Sequence, residues 1–369
     1  MSSVHKPNGD EPFFRDPLAG AIPVTLITGF LGSGKTTLIS QLLRDPGMNR
    51  VAVVINEVGE IGIDHHLVTM SSENISLLSN GCICCSVRTD LQETLRELFA
   101  ARHTGQMLEF DRVIIETTGL ADPAPVVQTL SSDTLLATHF RLDGVVTLVD
   151  AFNGSHQLLS QPEAVKQIAL ADRIILTKTD LVSTEQVQEL KASIWAMRPD
   201  VDILTCLHGA LAPESLMGLG LQSRKSSDAT LSFLGEPLQN QEAKLPRGEV
   251  YLGEKHSGKV KGKGKGNLLH DKSIQTSTLR FQKPFLWTAF STALEVLTQL
   301  RGPDVLRVKG IVNVEGRPVV VQGVQHLFHP PVELDRWPSA DLDTRLVFIT
   351  QNMKPQTLEA LLNAVMDVA

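Results

Sequence analysis

The sequence contains no long hydrophobic run. Its apolar stretches, such as residues 145–149, fall far short of the ~20 apolar residues that span a bilayer. Residues 1–18 mix Pro, Gly, His and charged side chains and lack the apolar core of a secretory signal peptide. We therefore expect a cytoplasmic protein that has no membrane anchor.

Cysteine is scarce, and acidic residues outnumber basic ones. Of only four cysteines, Cys82, Cys84 and Cys85 lie too close together to link distant parts of a fold by disulfides. The net charge is −7, and nucleic-acid binding depends largely on Lys and Arg contacts to phosphates. The composition therefore predicts reactive or metal-binding thiols and no nucleic-acid partner.

The length and the hydrophobic pattern predict two folded units, the first of them α/β. A chain of 369 residues with 42% hydrophobic residues is longer than one core usually spans. Runs that are apolar on both faces are typical of buried parallel strands, and most of the runs are far enough apart for intervening helices. We predict a P-loop NTPase fold with a doubly wound, mostly parallel sheet. The predicted strands of this sheet are residues 24–28, 51–55, 75–78, 113–115, 145–149 and 174–176.

The composition changes after residue 212. Ser, Gly, Gln and Pro are followed by alternating Lys and Gly at residues 255–266, which is typical of a flexible linker. Beyond it, strand patterns at 273–281, 305–314, 317–325 and 346–350 and helical patterns at 284–300 and 355–368 predict a smaller α+β domain. The predicted organisation is a flexible tail (1–22), a P-loop domain (23–212), a linker (213–272) and a C-terminal domain (273–369).

Residues 29–36, GFLGSGKT, match the Walker A pattern G-x-x-x-x-G-K-[ST] at every fixed position, between a predicted strand and helix. The glycines allow backbone N–H groups to surround phosphates, Lys35 would neutralise the β and γ oxygens, and Thr36 would ligate Mg²⁺. The alternative is a glycine-rich turn with a chance lysine. The predicted nucleotide-binding residues here are Gly29, Gly32, Ser33, Gly34, Lys35, Thr36 and Thr37.

Glu116 ends the apolar run 113–115 and is followed by Thr-Thr-Gly. A Walker B carboxylate and a turn that senses the γ-phosphate would lie at this position. We predict Glu116 and Lys35 as the catalytic residues. The alternative for Glu116 is a solvated loop residue.

Residues 177–180, Thr-Lys-Thr-Asp, resemble the guanine-recognition element N-K-x-D, with Thr177 in place of Asn. Lys178 would lie along the base, and Asp180 would accept hydrogen bonds from guanine N1–H and the 2-amino group, which adenine lacks. The pattern therefore favours GTP. Alternatively, Thr179 or Asp180 caps the helix that follows.

The segment 80–86, NGCICCS, is the most distinctive feature. An extended backbone places Cys82 and Cys84 on one side, and we expect a following turn to bring Cys85 round. Three thiolates suit Zn²⁺ or Co²⁺. The alternatives are buried apolar cysteines and a redox switch.

Carboxylates and glycines follow the predicted strand 51–55. Glu57 is predicted to meet Mg²⁺, its waters or the transported metal, as part of a loop that senses nucleotide. For Glu60 and Asp64, taken singly, a solvated acidic loop is the favoured interpretation.

Several of these segments together resemble the CobW-type GTPases, and segments 306–310 and 324–326 resemble the C-terminal domain of that family. The resemblance implies a GTP-hydrolysing metallochaperone that binds Zn²⁺ or Co²⁺ through Cys-x-Cys-Cys and delivers it to a client metalloenzyme as the nucleotide state changes. It leaves the client and the oligomeric state open. The segments of the nucleotide-binding part are 29–36, 56–60, 81–85, 116–119 and 177–180.

Two other functions remain as alternatives. A small-molecule kinase would use the same P-loop and transfer phosphate to an acceptor other than water. A metal buffer or redox-sensing module would bind metal with vestigial nucleotide turnover. The linker is rich in Lys and Gly and not in His, which weakens a metal-storage role.

Overall fold

The computed structural model describes residues 20–56, 68–70, 75–78, 83–86, 91–105, 109–220 and 274–366. Residues 20–220 belong to one unit and residues 275–366 to a second. Most of the predicted N-terminal tail and most of the predicted linker lie outside the described residues; Ile22, predicted as the last residue of the tail, is buried in the first strand. The domain limits predicted from the sequence stay predictions.

The first unit alternates strands and helices along most of its length. The strands are β1 (Ile22–Gly29), β2 (Val51–Asn56), β3 (Val68–Met70), β4 (Ile75–Leu78), β5 (Ile83–Ser86), β6 (Arg112–Thr117), β7 (Phe140–Asp150), β8 (Arg173–Thr177) and β9 (Asp202–Cys206). The helices are α1 (Lys35–Leu42), α2 (Leu91–His103), α3 (Ala124–Ser132), α4 (Thr134–His139), α5 (Gly154–Ser160), α6 (Pro162–Leu170) and α7 (Thr184–Met197).

These strands form one sheet in the order β3-β4-β5-β2-β6-β1-β7-β8-β9. The pairs from β5 to β9 are parallel, which confirms the predicted mostly parallel sheet. The expectation that residues 75–78 form a parallel strand is wrong, because β4 pairs antiparallel with β5. The four residues between β4 and β5 are too few for the crossover that a parallel pair requires.

The core of this unit forms where apolar strand faces meet the helices. Ile27 of β1 packs with Leu38 and Leu42 of α1, and all three are buried. On α2, Leu91, Leu95 and Leu98 form one apolar face, and all three are buried. Fully burying each such side chain contributes about 1.5–3 kcal/mol.

Residues 213–220, predicted as the start of the linker, pack on the first unit instead. Leu216 is 1% exposed and joins the core beside α1. The Asp143 carboxylate accepts hydrogen bonds from the Gly218 N–H (2.8 Å) and the Gly220 N–H (3.3 Å). The polar composition of this segment indicated a linker, but one buried leucine and one buried carboxylate hold the segment in place.

The second unit is a sheet with helices, as the prediction of an α+β domain requires. Its strands are β10 (Ile274–Phe281), β11 (Val305–Val314), β12 (Arg317–Val324), β13 (Leu327–Phe328), β14 (Val332–Glu333) and β15 (Thr344–Gln351), and its helices are α8 (Trp287–Arg301) and α9 (Pro355–Met366). The strand order is β10-β15-β11-β12-β13, with β14 paired to β12. In the described ranges of both units, none of the helices combines the length and apolar character that a membrane crossing requires.

Helix α8 begins later than predicted. The proline-opened start at Pro284 is wrong, because Phe285 is held against β11: its N–H donates to the Asn313 carbonyl (2.8 Å), and the Glu315 N–H donates to its carbonyl (3.2 Å). The chain is free to turn into a helix only after these bonds. The turn between β11 and β12 lies at Glu315 and Gly316, with φ values of 52° and 91°.

Candidate nucleotide-binding site

The Walker A loop, residues 29–36, lies between β1 and α1, where the sequence predicts it. We call it the phosphate loop. Gly29 (φ 143°) and Gly34 (φ 92°) adopt backbone conformations that side chains disfavour. A Cβ atom at Gly29 would also lie 2.7 Å from the Ser33 hydroxyl and against the Leu148 carbonyl. The tight loop therefore requires glycine at these positions.

Lys35 is the first residue of α1 and folds back over the loop. Its ammonium donates hydrogen bonds to the carbonyls of Gly29 (3.0 Å) and Phe30 (3.5 Å), and the residue is 6% exposed. The Ser33 hydroxyl is buried and has no hydrogen-bond partner within the described parts of the chain. A phosphate oxygen would provide that partner, so the loop suits a phosphate group. Thr37 is exposed on the first turn of α1.

Glu116 is completely buried at the end of β6, the strand beside β1. The Thr36 hydroxyl donates a hydrogen bond of 2.8 Å to its carboxylate. This contact removes the alternative that Glu116 is a solvated loop residue. A hydroxyl and a carboxylate are the hard oxygen donors that Mg²⁺ prefers, and both adjoin the phosphate loop. The residues present therefore fit the metal ion that accompanies nucleotides.

The turn after β6 contacts the phosphate loop directly. A Cβ atom on Gly119 would lie 2.7 Å from the Leu31 backbone nitrogen and 2.8 Å from its Cα. Closer to the strand, the Thr117 hydroxyl donates to the Thr28 hydroxyl of β1 at 2.8 Å. Because of this contact, a movement of the phosphate loop would be transmitted directly to the turn.

The predicted base-recognition residues begin at Thr177, the last residue of β8. The Thr177 hydroxyl donates a hydrogen bond of 2.8 Å to the Ser33 carbonyl, so Thr177 contacts the phosphate loop. Lys178 has a positive φ of 54°, and its ammonium lies 2.7 Å from the Asp150 carboxylate. Asp180 is exposed on a short 3₁₀ turn. The structure thus brings this segment beside the phosphate loop and leaves the Asp180 carboxylate accessible.

The alternative role of Thr179 or Asp180 as the cap of the next helix is wrong. Helix α7 begins at Thr184, and its cap is Ser183. Ser183 and Gln186 form a capping box in which each side chain accepts a hydrogen bond from the other residue's backbone N–H. The segment 177–180 is therefore not needed to start α7.

Asp150, at the end of β7, was not predicted as a site residue. It is 1% exposed and accepts hydrogen bonds from the Lys178 ammonium, the Asn153 side chain (2.9 Å) and the Phe152 N–H (2.8 Å). Burial raises its pKa, but the hydrogen bonds and the ammonium charge outweigh burial and hold the pKa below its usual value. The available signal was an acid at the end of an apolar strand, as for Glu116.

A tight turn after β9 was also not predicted from the sequence. Leu207 and Ala210 form a bridge across His208 (φ 50°) and Gly209 (φ 79°). A Cβ atom on Gly209 would lie 2.8 Å from the Thr37 carbonyl, so the turn packs directly on α1. The Gly-containing segment after a short strand was the only signal in the sequence.

The predicted metal-binding residues are only partly described. Cys84 and Cys85 lie within β5, paired with β4 on one side and β2 on the other. The expected turn at Cys85 is wrong, because the strand continues to Ser86. Cys82 and Glu57 lie outside the described residues. Within the described ranges, no group of three or more His, Cys, Asp or Glu side chains is arranged to hold a metal, so the thiolate site stays a prediction.

The phosphate loop is glycine-rich, and its buried lysine donates hydrogen bonds to the loop carbonyls beside a buried carboxylate on the adjacent strand. This arrangement defines a P-loop nucleotide-binding protein. Residues 23–205 match the family model of the CobW/HypB/UreG nucleotide-binding domain, and residues 274–366 match that of the cobalamin synthesis protein cobW C-terminal domain. The chain belongs to the CobW family.

Relatives match over most of the chain or over about half of it. The zinc chaperone YjiA of Escherichia coli is 33% identical over 343 residues, which cover 92% of this chain and 97% of YjiA. A crystal structure of Zn(II)-bound YjiA GTPase from E. coli superimposes with a TM-score of 0.69, at 29% identity, over 94% of this chain and 99% of that one. The zinc-regulated GTPase metalloprotein activator 1 of Schizosaccharomyces pombe is 36% identical over 203 residues, 53% of this chain and 48% of that protein.

These similarities confirm the predicted family and the predicted fold class of both units. The prediction of a GTPase is confirmed at the level of the family, because relatives that match the chain are named GTPases. The individual site residues are not tested by these similarities and stay predictions.

Proposed function

We propose that this chain hydrolyses GTP and uses its nucleotide state to control the binding of Zn²⁺ and its delivery to a client metalloenzyme. The observation that carries the hydrolytic part is the hydrogen bond between Thr36 and the buried Glu116. It joins the helix that follows the phosphate loop to the strand beside it, as a nucleotide and Mg²⁺ site requires. The names of the relatives, zinc chaperone and zinc-regulated GTPase, support the cargo.

Lys35 and the loop would bind and orient the triphosphate. Water attacks the γ-phosphorus, the bond from that phosphorus to the β–γ bridging oxygen breaks, and GDP and inorganic phosphate leave. The Lys35 ammonium, now bonded to the Gly29 and Phe30 carbonyls, would turn to the β and γ oxygens. When bound, Mg²⁺ neutralises charge on these oxygens, and Thr36 and Glu116 would hold it.

The segment after β8 would select guanine. Asp180 is exposed and would accept hydrogen bonds from guanine N1–H and the 2-amino group. The Asp150 carboxylate holds the Lys178 ammonium beside this position, and Thr177 fixes the segment to the phosphate loop. Adenine offers no donors in the same places, so GTP is the preferred nucleotide.

The sheet supports a coupling between the cysteine motif and the nucleotide site. In the register of the sheet, Cys85 lies opposite Val54 of β2, and Val54 lies opposite Ile115 of β6, the residue before Glu116. Cys85 and Ile115 are therefore two strand spacings apart, which corresponds to about 10 Å. Zn²⁺, as cargo, would be held by Cys82, Cys84 and Cys85, with Co²⁺ as the other metal that this ligand type suits.

Phosphate release from GTP, measured on the purified chain with Mg²⁺, tests the hydrolytic part. We expect Lys35→Ala to abolish phosphate release, because the ammonium that neutralises the phosphate oxygens is lost. Lys354→Ala, at an exposed position in the second unit, is the matched control and should retain the wild-type rate. Transfer of phosphate to an added acceptor, in place of release, would favour the kinase alternative.

Competition titration of Zn²⁺, with GDP and again with Mg²⁺ and a non-hydrolysable GTP analogue, tests the chaperone part. We expect at least tenfold tighter binding in the GTP-like state, a coupling of about 1.4 kcal/mol, and loss of this binding in Cys82/Cys84/Cys85→Ser. The control is Cys206→Ala, because Cys206 is the fourth cysteine, and burial raises the pKa of its thiol. Equal Zn²⁺ affinity in both states would leave a GTPase whose cysteines buffer or sense metal.

A further inference from the structure

One buried amide holds the turn that adjoins the phosphate loop. Gln167, on α6, is 1% exposed. Its side-chain NH₂ group donates to the carbonyls of Gly119 (3.2 Å) and Ala121 (3.0 Å). Both amide hydrogens are therefore used on the segment that follows Glu116.

The backbone of Gln167 is itself bonded to the sheet. The Thr147 hydroxyl of β7 donates a hydrogen bond of 2.8 Å to the backbone carbonyl of Gln167. Thr147 is 1% exposed. The neighbouring Lys166 ammonium lies 3.5 Å from the Asp122 carboxylate, which is a second link from α6 to the same segment. The helix and the turn are thus joined at two adjacent positions.

The turn held in this way lies against the phosphate loop. Gly119 leaves no space for a Cβ atom beside Leu31, and Gln167 lines one small cavity together with Phe30 of the phosphate loop. Because the turn is in direct contact with the phosphate loop, even a small displacement of the turn changes the distance between Gly119 and Leu31. Gln167 contacts neither the loop glycines nor the segment 177–180 through its hydrogen bonds, so losing them should not weaken nucleotide binding directly.

We propose that Gln167 is a positioning residue for GTP hydrolysis, which holds the turn after β6 where the Gly119 backbone faces the γ-phosphate. This inference rests on the proposed GTPase function. The two hydrogen bonds favour one position of the turn over others. Their loss should slow the chemical step, which depends on this position, and leave GTP affinity largely unchanged.

The main test is Gln167→Met, which keeps an unbranched side chain and removes both donors. We expect kcat for GTP hydrolysis to fall roughly tenfold while KM changes less than about twofold. Binding of a fluorescent GDP analogue, which needs no hydrolysis, should match wild type and shows that the variant is folded. The matched control is Gln157→Met, which makes the same change at a half-buried position of the same cavity wall.

A second variant adds a readout that a purely structural role would not change. In Gln167→Glu, an ionised carboxylate cannot donate to the two carbonyls, whereas the protonated acid donates one hydrogen bond. Burial raises the pKa of such a glutamate, so its kcat relative to wild type should rise as pH falls from about 8 to about 6.

The outcomes separate this inference from the proposed function. If wild type releases no more phosphate than Lys35→Ala, the GTPase proposal fails. If wild type hydrolyses GTP but Gln167→Met matches Gln157→Met, or loses affinity and rate together, the positioning role is overturned and the GTPase proposal stands. A flat pH ratio for Gln167→Glu would also overturn the positioning role.

Discussion

The Thr177 hydroxyl donates a hydrogen bond of 2.8 Å to the Ser33 carbonyl, which joins the segment after β8 to the phosphate loop. Both groups are buried. Gly34, the residue before α1, has the Thr177 side chain as its nearest neighbour, at 3.8 Å from an ideal Cβ position. Thr177, which stands in place of Asn in the predicted recognition element, therefore has a polar link to the predicted phosphate-binding loop.

We expect Thr177→Val to lower the free energy of unfolding by about 1–3 kcal/mol, because the Ser33 carbonyl loses a buried donor with little change in shape. Affinity for GDP should fall with it, since the two nucleotide-binding segments lose their link. Urea unfolding and titration with a fluorescent GDP analogue measure both effects. Thr177→Ser keeps the hydroxyl and is the control; if it binds GDP as weakly as Thr177→Val, the hydrogen bond is not the cause.

The phosphate loop and the fold class could be predicted because their signals are local. Glycines at fixed spacing before Lys35, and strands that are apolar on both faces, each specify structure within a few residues of the chain. The contacts of Asp150 and Gln167 could not be predicted in the same way. Their partners, Lys178 and Gly119, are 28 and 48 residues away and meet them only after the sheet is assembled.

Removing the charge of Glu116 should raise the requirement for Mg²⁺. In Glu116→Gln the amide oxygen can still accept the Thr36 hydroxyl, so we expect a folded protein whose half-saturating Mg²⁺ concentration for phosphate release is raised about tenfold. Rates measured across a Mg²⁺ series, after removal of bound metal with a chelator, test this. Glu109→Gln makes the same change at an exposed ion pair with Arg50 and should leave the Mg²⁺ requirement unchanged.

The buried carboxylate of Asp150 should make stability depend on pH in a defined window. Its pKa is lowered in the folded protein, so the stability it contributes is present above its unfolded pKa of about 3.9 and is lost as pH falls through the folded value. Asp150→Asn should be less stable at neutral pH by about 1–3 kcal/mol, because Lys178 loses a charged partner. The difference from wild type should shrink as the pH falls from about 5 towards about 3.

Urea unfolding of both proteins across this range measures the difference. Asp202→Asn is the control, because its ion pair with Arg173 (3.0 Å) has a half-exposed carboxylate and contributes little. An Asp150→Asn difference that stays constant from neutral to acid pH would contradict the ionised state assigned to Asp150.

The contact between Gly119 and Leu31 predicts a variant that damages hydrolysis more than binding. An added Cβ would lie 2.7 Å from the Leu31 backbone nitrogen, so Gly119→Ala must displace either the turn or the phosphate loop. We expect kcat to fall about 100-fold, as for other small displacements of catalytic geometry, with a smaller loss of GDP affinity. Phosphate release and GDP titration measure the two effects on one preparation.

Gly105→Ala separates this displacement from general destabilisation. Gly105 has a φ of 68°, so alanine there is strained, yet no atom lies within 4 Å of the added Cβ. Gly105→Ala should therefore lower the free energy of unfolding by about 1 kcal/mol and leave kcat unchanged. If both variants lose kcat in proportion to their loss of stability, the Gly119 turn has no specific part in hydrolysis. If only Gly119→Ala loses kcat, the close packing of this turn on the phosphate loop is what hydrolysis requires.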